Sequence, residues 1–200
     1  MNEDVYFSCD IESDGPIPGT DDYSMLSIAF SVAGIMSSDG FHSRPPRQQT
    51  FYVELKPISH NFDADAVAVV AEGGLNREEL LTTGSDPKQA MSAAANWINE
   101  VAGARQPVFL AYPLGFDWSF SHYYFIRFNG SDPFGFGNAL DIRTIYQHKT
   151  GCLIEDAKRD QMPEELLPTT AATHNALDDA IAQAELLQNI LNWNAKNTSD

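Results

Sequence analysis

The pair Asp10 and Glu12 follows directly on an apolar run, residues 5–9, near the start of the chain. The run predicts a buried strand, and because strand side chains alternate with period two, both carboxylates point to the same face. Two negative charges held this close repel each other unless a cation lies between them. Carboxylate oxygens suit Mg²⁺ or Mn²⁺, so the pair predicts a strand that ends at a divalent-metal site.

Strand and helix patterns follow each other in an order that predicts a mixed sheet. Further strand patterns cover residues 25–33, 50–55 and 108–112, with a turn at 37–40 and a loop at 42–49. Helical patterns cover residues 64–71, a segment opening at Pro87, residues 116–128 and residues 175–193, whereas residues 139–146 fit a strand or the first turn of a helix. Three strands followed by alternating helix and strand predict an α/β fold, with an antiparallel meander, parallel strands and helices packed on the sheet.

Length and composition predict one domain, residues 1–200, because 43% hydrophobic residues suffice for a core. The chain has no apolar stretch that matches a secretory signal or the roughly 20 residues of a membrane helix. Cys9 and Cys152 are too few for a disulfide scaffold. We therefore expect a cytoplasmic protein with free thiols and no membrane partner.

The net charge of −16 argues against a broad surface for duplex nucleic acid. Proteins that bind nucleic acid usually present a basic stripe. A chain this acidic that acts on nucleic acid needs metal ions at its site, and we expect it to grip only a few terminal nucleotides. The basic residues between the middle and the end of the chain fit either a local edge for phosphates or a solvated face: Arg127, Arg143, Lys149, Lys158 and Arg159.

Two further acidic positions fall where strands end and helices begin. Asp117 follows the predicted strand 108–112, a place where mixed folds build their sites, although an aspartate there also fits a helix cap. Asp179 lies in the first turns of the last helix, with His174 on the loop before it. This arrangement suits a metal-ligating carboxylate beside a more mobile imidazole that acts as a general base.

Taken in order, these positions form three motifs: D-x-E at Asp10, F-D at Asp117, and H-x4-D from His174. In this combination the chain resembles the DEDDh group of 3′→5′ exonucleases, which includes the polymerase proofreading exonuclease, ribonuclease T and oligoribonuclease. The resemblance runs over residues 5–191 and is closest at residues 174–180. Residues 72–80 also look like the family's turn and helix between the third strand and the middle motif.

The resemblance implies a ribonuclease-H-like fold and a site with two divalent cations, Mg²⁺ or Mn²⁺. It also implies hydrolysis of phosphodiester bonds at the 3′ ends of single-stranded RNA or DNA, with release of nucleoside monophosphates. The oligomeric state stays open, and a homodimer is one of the alternatives. By matching positions, the metal ligands are Asp10, Glu12, Asp117 and Asp179, and the general base is His174. The pocket for the terminal nucleotide is lined by Ser13, Gly15 and Phe116.

One segment departs from the family pattern. The family often carries His-Asn a few residues before the middle aspartate, where this chain has Tyr112 and Pro113. Any substrate contact made by that asparagine is therefore lost or replaced, whereas the carboxylate of Asp117 is retained.

Two other interpretations compete with an exonuclease. The segment beginning at Asp10 imitates a calcium-binding loop, with acids at positions one, three and five and glycine at six. However, position twelve is Asp21 instead of glutamate, a strand pattern precedes the segment, and Pro16 and Pro18 interrupt it. The second alternative is a non-catalytic nucleic-acid-binding or regulatory module of the same fold, which would not need all four carboxylates and the histidine.

Overall fold

The computed structural model describes residues 3–194 of the chain. The strands are Asp4–Ser13 (β1), Met25–Ser37 (β2), Gly40–Ser43 (β3), Thr50–Glu54 (β4), Gln106–Ala111 (β5) and Ala139–Asp141 (β6). The α-helices are Ala64–Glu72 (α1), Arg77–Thr83 (α2), Pro87–Ala102 (α3), Leu114–Tyr124 (α4), Ile142–Thr150 (α5) and Ala176–Asn192 (α6). A π-helical turn, Phe125–Asn129, continues α4, and three short 3-10 turns lie between α5 and α6.

The strands form one mixed sheet in the order β3-β2-β1-β5-β6, and β4 also pairs with β2. β2 runs antiparallel to β1, β3 and β4, whereas β5 lies parallel to both β1 and β6. The predicted α/β architecture, an antiparallel meander joined to parallel strands, is therefore confirmed. Because β1, β5 and β6 run in the same direction, their carboxyl ends lie at one edge of the sheet.

β1 is covered on both faces, which explains the mostly apolar run over residues 5–9. The odd-numbered residues, from Val5 to Ile11, pack in a core with α3 and α4. Tyr6 faces the opposite way, into a second core with α5 and α6. The alternation places Asp10 and Glu12 on the α6 side of the sheet.

Several boundaries differ from the sequence prediction. β3 joins the end of the predicted turn 37–40 to the start of the predicted loop 42–49, because Gly40, at φ 120°, lets the chain reverse and pair with the end of β2. The predicted helix 116–128 begins two residues earlier, after Pro113 at the N-cap, and gives way to a π-helical turn at Phe125. Residues 139–146 form both elements that were considered, first β6 and then the start of α5. Within residues 3–194, no helix has the length and apolar character needed to cross a membrane.

Candidate active site

Asp10 and Glu12 lie within β1 and not at its end, as the sequence had suggested, because the strand continues to Ser13. β1 pairs with β5 only as far as Ser8, which lies opposite Leu110. Beyond that point β1 keeps β2 as its strand neighbour. The early departure of β5 leaves the side of β1 next to both acids free for α4.

Asp117 fills part of that space from the first turn of α4, where its side chain is buried. The backbone N–H of Ile11 donates to Asp117 Oδ1 at 3.1 Å. A carboxylate on α4 therefore takes the hydrogen bond that a neighbouring strand would otherwise accept. The helix-cap interpretation of Asp117 is wrong, because Pro113 occupies the N-cap of α4.

The N-terminus of α6 brings His174 and Asp179 to the same edge. Asn175 caps the helix, and its side chain accepts a hydrogen bond from the N–H of Leu177. The Asp179 carboxylate accepts the backbone N–H groups of Thr173 and His174, each at 3.1 Å. These bonds hold His174 in a left-handed conformation, φ 56°, with its side chain exposed.

Three of the five predicted residues converge most closely. Glu12, His174 and Asp179 each offer a ligand atom, and these atoms lie within 4.8 Å of one another. Asp10 and Asp117 lie outside this trio, although their carboxylates repel those of Glu12 and Asp179. The structure thus joins carboxylates from β1, α4 and α6, which lie far apart in the sequence.

The acidic residues raise each other's pKa values. Burial, followed by repulsion from Asp179 and Asp117, raises the pKa of Glu12 to about 8. Burial also raises the pKa of Asp117 to about 8, with Asp179 adding to the shift and the Ile11 hydrogen bond opposing it. The pKa of Asp10 rises for the same reasons, first burial and then its three acidic neighbours. A cluster in which each negative charge raises the cost of the next is stabilised by cations.

The donor set fits hard divalent cations. Carboxylate oxygens from four acids, with one imidazole beside them, are the ligands that Mg²⁺ and Mn²⁺ prefer. The described part of the chain contains one cluster that could hold a metal ion, and it is the trio of Glu12, His174 and Asp179. The residues present therefore fit the cations that the sequence predicts.

A pocket of about 400 Å³ opens beside the acids. Its lining includes the three residues predicted to contact the substrate, together with Glu12 and one face of α1: Ser13, Gly15, Pro16, Asp63, Ala66, Val69, Val70 and Phe116. Phe116 is 42% exposed. Gly15 has a packing role too, because a Cβ there would lie 2.1 Å from the Tyr23 ring.

The structure contradicts the calcium-loop alternative. Asp14, at the fifth position of that loop, is fully buried, and Arg77 donates to its Oδ2 at 2.7 Å. The N–H of Ser24 donates to its other oxygen. β1 precedes the segment and β2 follows it, so the two helices of a calcium-binding hand are replaced by strands.

Comparison with known proteins agrees with this geometry. A family model described as the 3′-5′ exoribonuclease Rv2179c-like domain matches residues 48–191. The Escherichia coli protein 3′-5′ DNA exonuclease Cap18 is 37% identical over 188 residues, which cover 94% of this chain and 91% of that protein. The chain belongs to the family of 3′-5′ exoribonuclease Rv2179c-like domains, which agrees with its resemblance to the DEDDh exonucleases. It is thus an enzyme, a hydrolase of phosphodiester bonds, and the non-catalytic alternative is set aside.

Solved nuclease structures share the fold of this exonuclease. Cell-death related nuclease 4 superposes with a TM-score of 0.68 at 15% identity, over 96% of this chain and 64% of that one. The nuclease domain of 3′hExo, a DEDDh family member bound to rAMP, gives 0.67 at 13% identity, over 95% and 92% of the two chains. S. pombe Pop2p, in its Mg²⁺- and Mn²⁺-bound form, gives 0.64 at 14% identity, over 92% and 82% of the two chains. At these identities the likeness concerns the fold.

Sequence reasoning missed two residues that support the exonuclease site. The side-chain amide of Gln183, buried in α6, donates to Asp10 Oδ1 at 2.6 Å. Gly73, the C-cap of α1, packs against the loop before α6, and a Cβ on it would lie 1.7 Å from the carbonyl oxygen of His174. The spacing of Gln183, four residues after Asp179, was the available signal, because i and i+4 share a helix face.

Proposed function

We propose that the chain removes nucleotides from the 3′ end of single-stranded DNA with two divalent cations, Mg²⁺ or Mn²⁺, and releases nucleoside monophosphates. The observation that carries the proposal is the convergence of Glu12, His174 and Asp179 within 4.8 Å, beside two more acids. In this proposal residues 1–200 act as one exonuclease domain. The free thiols of Cys9 and Cys152 support a cytoplasmic location.

In this proposal the metal ligands are Asp10, Glu12, Asp117 and Asp179. When bound, the cations stabilise negative charge on the attacking and leaving oxygens of an in-line displacement. His174 accepts the proton of the attacking water at an imidazole nitrogen while the water oxygen bonds to phosphorus. The bond to the 3′ oxygen of the penultimate nucleotide breaks, and that oxygen takes up a proton from solvent.

The pocket suits the terminal nucleotide. Ser13 and Gly15 line its floor, and the exposed part of the Phe116 ring offers a face on which a base stacks. The apolar side chains of Val69 and Val70 form the wall that α1 contributes. Apolar contact and stacking do not depend on base identity, so we expect little sequence preference.

The choice of DNA is supported by the relative that is 37% identical over 188 residues, because that protein is described as a DNA exonuclease. RNA is the second candidate, because the matching family model is described as an exoribonuclease.

Matched strands test both the reaction and the substrate. We would incubate 5′-labelled DNA and RNA oligonucleotides of equal sequence and several lengths with the protein, in Mn²⁺ and in EDTA. We expect a ladder that shortens from the 3′ end of DNA in Mn²⁺, and none in EDTA. Asp10→Asn should abolish the ladder, whereas Asp156→Asn, at an exposed acid, should not. Equal digestion by Asp10→Asn and the unaltered protein would contradict the proposal, and faster digestion of RNA would reverse the substrate assignment.

A further inference from the structure

Arg159 carries a guanidinium group for which the described chain provides no acceptor. Its Nε is buried and makes no hydrogen bond within residues 3–194. Its guanidinium carbon lies 5.2 Å from the centre of the Tyr112 ring. Stacking on an aromatic face fixes the plane of a guanidinium while leaving its N–H donors free to bind another group.

Tyr112 supports this arrangement from the carboxyl end of β5. Its hydroxyl donates to the carbonyl oxygen of Ala157 at 2.8 Å, two residues before Arg159. Tyr112 thus holds the backbone of this segment with its hydroxyl and the guanidinium with its ring. Because β1 and β5 are parallel, the segment is held at the edge of the sheet that also carries Asp117, five residues after Tyr112.

Arg159 lies beside the edge of the sheet that carries the acid cluster, because Tyr112 holds its segment there. Yet the guanidinium makes no ion pair within 4.0 Å of any described carboxylate, although other arginines of the chain do. A cation that faces a metal-binding cluster without pairing to it remains available for an anion that enters the site.

We propose that Arg159 binds the phosphate of the linkage next to the scissile one, and that Tyr112 positions it. The inference rests on the proposed function, because the acid cluster and its cations take the scissile phosphate. Because the guanidinium does not pair with those carboxylates, its donors are free for the phosphate of the neighbouring linkage. Its planar fork matches two phosphate oxygens. The residues that replace the family's His-Asn thereby acquire a role, since Tyr112 supplies the platform.

A neutral linkage tests this contact directly. We would measure kcat/KM on an ordinary oligonucleotide and on one with a methylphosphonate at the linkage preceding the scissile bond. Arg159→Gln should lower kcat/KM about tenfold to a hundredfold on the ordinary strand, the loss expected for a hydrogen-bonded charged contact. On the neutral strand the variant and the unaltered protein should differ by less than about twofold. Arg159→Lys should recover part of the loss, since it restores the charge but not the fork.

Lys158→Gln is the matched control, because it removes an adjacent, exposed positive charge. It should stay within about twofold of the unaltered protein on both strands. Tyr112→Leu should lose activity on the ordinary strand, and adding it to Arg159→Gln should cause little further loss, because both act on one contact. Calorimetry without substrate measures the affinity for Mn²⁺, which Arg159→Gln should weaken less than threefold.

Three outcomes would overturn the inference. The first is an equal loss of kcat/KM for Arg159→Gln on both strands. The second is a loss for Lys158→Gln as large as that for Arg159→Gln. The third is a loss of Mn²⁺ affinity in Arg159→Gln that accounts for the whole loss of kcat/KM. Failure of the unaltered protein to digest either strand would instead contradict the proposed function.

Discussion

The side-chain amide of Gln183 donates to Asp10 with 2.6 Å between Nε2 and Oδ1, and it orients a carboxylate that lies 173 residues earlier in the chain. The other side-chain atom, Oε1, is buried and has no partner within residues 3–194. Loss of a group that orients a metal ligand through a hydrogen bond typically lowers metal affinity about 10- to 100-fold. Gln183 therefore belongs to the site although it needs no contact with a metal or with substrate.

Gln183→Met should weaken Mn²⁺ binding about tenfold or more, because the methionine keeps the volume of the glutamine and removes the donor to Asp10. Calorimetric titration with Mn²⁺ in the absence of substrate measures this change. Gln188→Met is the matched control, because Gln188 lies on the same helix and donates to the carbonyl oxygens of Ala33 and Arg44, away from the acids. Equal Mn²⁺ affinity in both variants would show that the Gln183 amide has no part in orienting Asp10.

Gly73→Ala should displace the loop that carries His174. Gly73 has φ −79°, which any residue tolerates, so the effect of the substitution is the clash of the new Cβ with the His174 backbone. A displacement of about 1 Å at a catalytic group costs on the order of a hundredfold in rate. We expect kcat to fall about tenfold to a hundredfold while KM changes much less.

Gly137→Ala serves as the control for Gly73→Ala, because a Cβ at Gly137 meets nothing within 4 Å. Steady-state kinetics on a labelled oligonucleotide, together with thermal unfolding of each variant, separate a displaced histidine from a general loss of folding. If Gly73→Ala retains the full kcat, the close approach to His174 is irrelevant to catalysis.

His174→Asn should lower kcat about 10²- to 10⁴-fold, the usual contribution of a general base. Asparagine is the appropriate replacement, because it adopts the left-handed conformation of His174 more readily than alanine does. Mn²⁺ affinity decides between the two roles open to the imidazole. Unchanged affinity supports a base, whereas a loss of tenfold or more would assign His174 to the metal ligands with Glu12 and Asp179.

The sequence predicted the mixed sheet, and it named five candidate site residues, because both inferences rest on local patterns. The period of two in β1 places Asp10 and Glu12 on one face, and the start of α6 follows from Asn175 and the helical spacing after it. The contacts of Gln183 and Gly73 need more than a local period. The i+4 spacing places Gln183 on the helix face of Asp179, but its contact with Asp10 depends on how α6 lies against β1, and the contact of Gly73 depends on how the end of α1 lies against the loop before α6.

The buried pair of Arg77 and Asp14 links α2 to the loop that leads into the pocket. Arg77 also donates to the carbonyl oxygen of Ser59, and the Asp14 carbonyl oxygen accepts the N–H of Asp63 at the N-cap of α1. Arg77→Met leaves a buried carboxylate without its cation, so we expect a loss of about 3–5 kcal/mol in the free energy of unfolding. Urea denaturation measures it, and adding Asp14→Asn should recover part of the loss. Equal stability of Arg77→Met and of the double variant would mean that the Asp14 carboxylate finds another partner.

The charge of the acid cluster should make stability depend on pH in the absence of metal. Because the pKa of Glu12 is raised to about 8 in the fold, the folded protein keeps a proton that the unfolded chain releases near its ordinary pKa of 4.5. Between these two values the folded state binds more protons, so the contribution of Glu12 to the free energy of unfolding falls as pH rises. It is fully present below pH 4.5 and is lost as the pH passes about 8.

Glu12→Gln isolates this contribution, since glutamine resembles the protonated carboxyl group at every pH. In EDTA the variant should have nearly the same Tm as the unaltered protein at pH 5 and a higher Tm at pH 8, with the difference growing between those values. Mn²⁺ should raise the Tm of the unaltered protein more at pH 8 than at pH 5, because protons compete with the metal for the same oxygens. Glu100→Gln, at an exposed acid, should show no such trend. A difference in Tm that is the same at pH 5 and pH 8 would mean that Glu12 is not held in its protonated form by the fold.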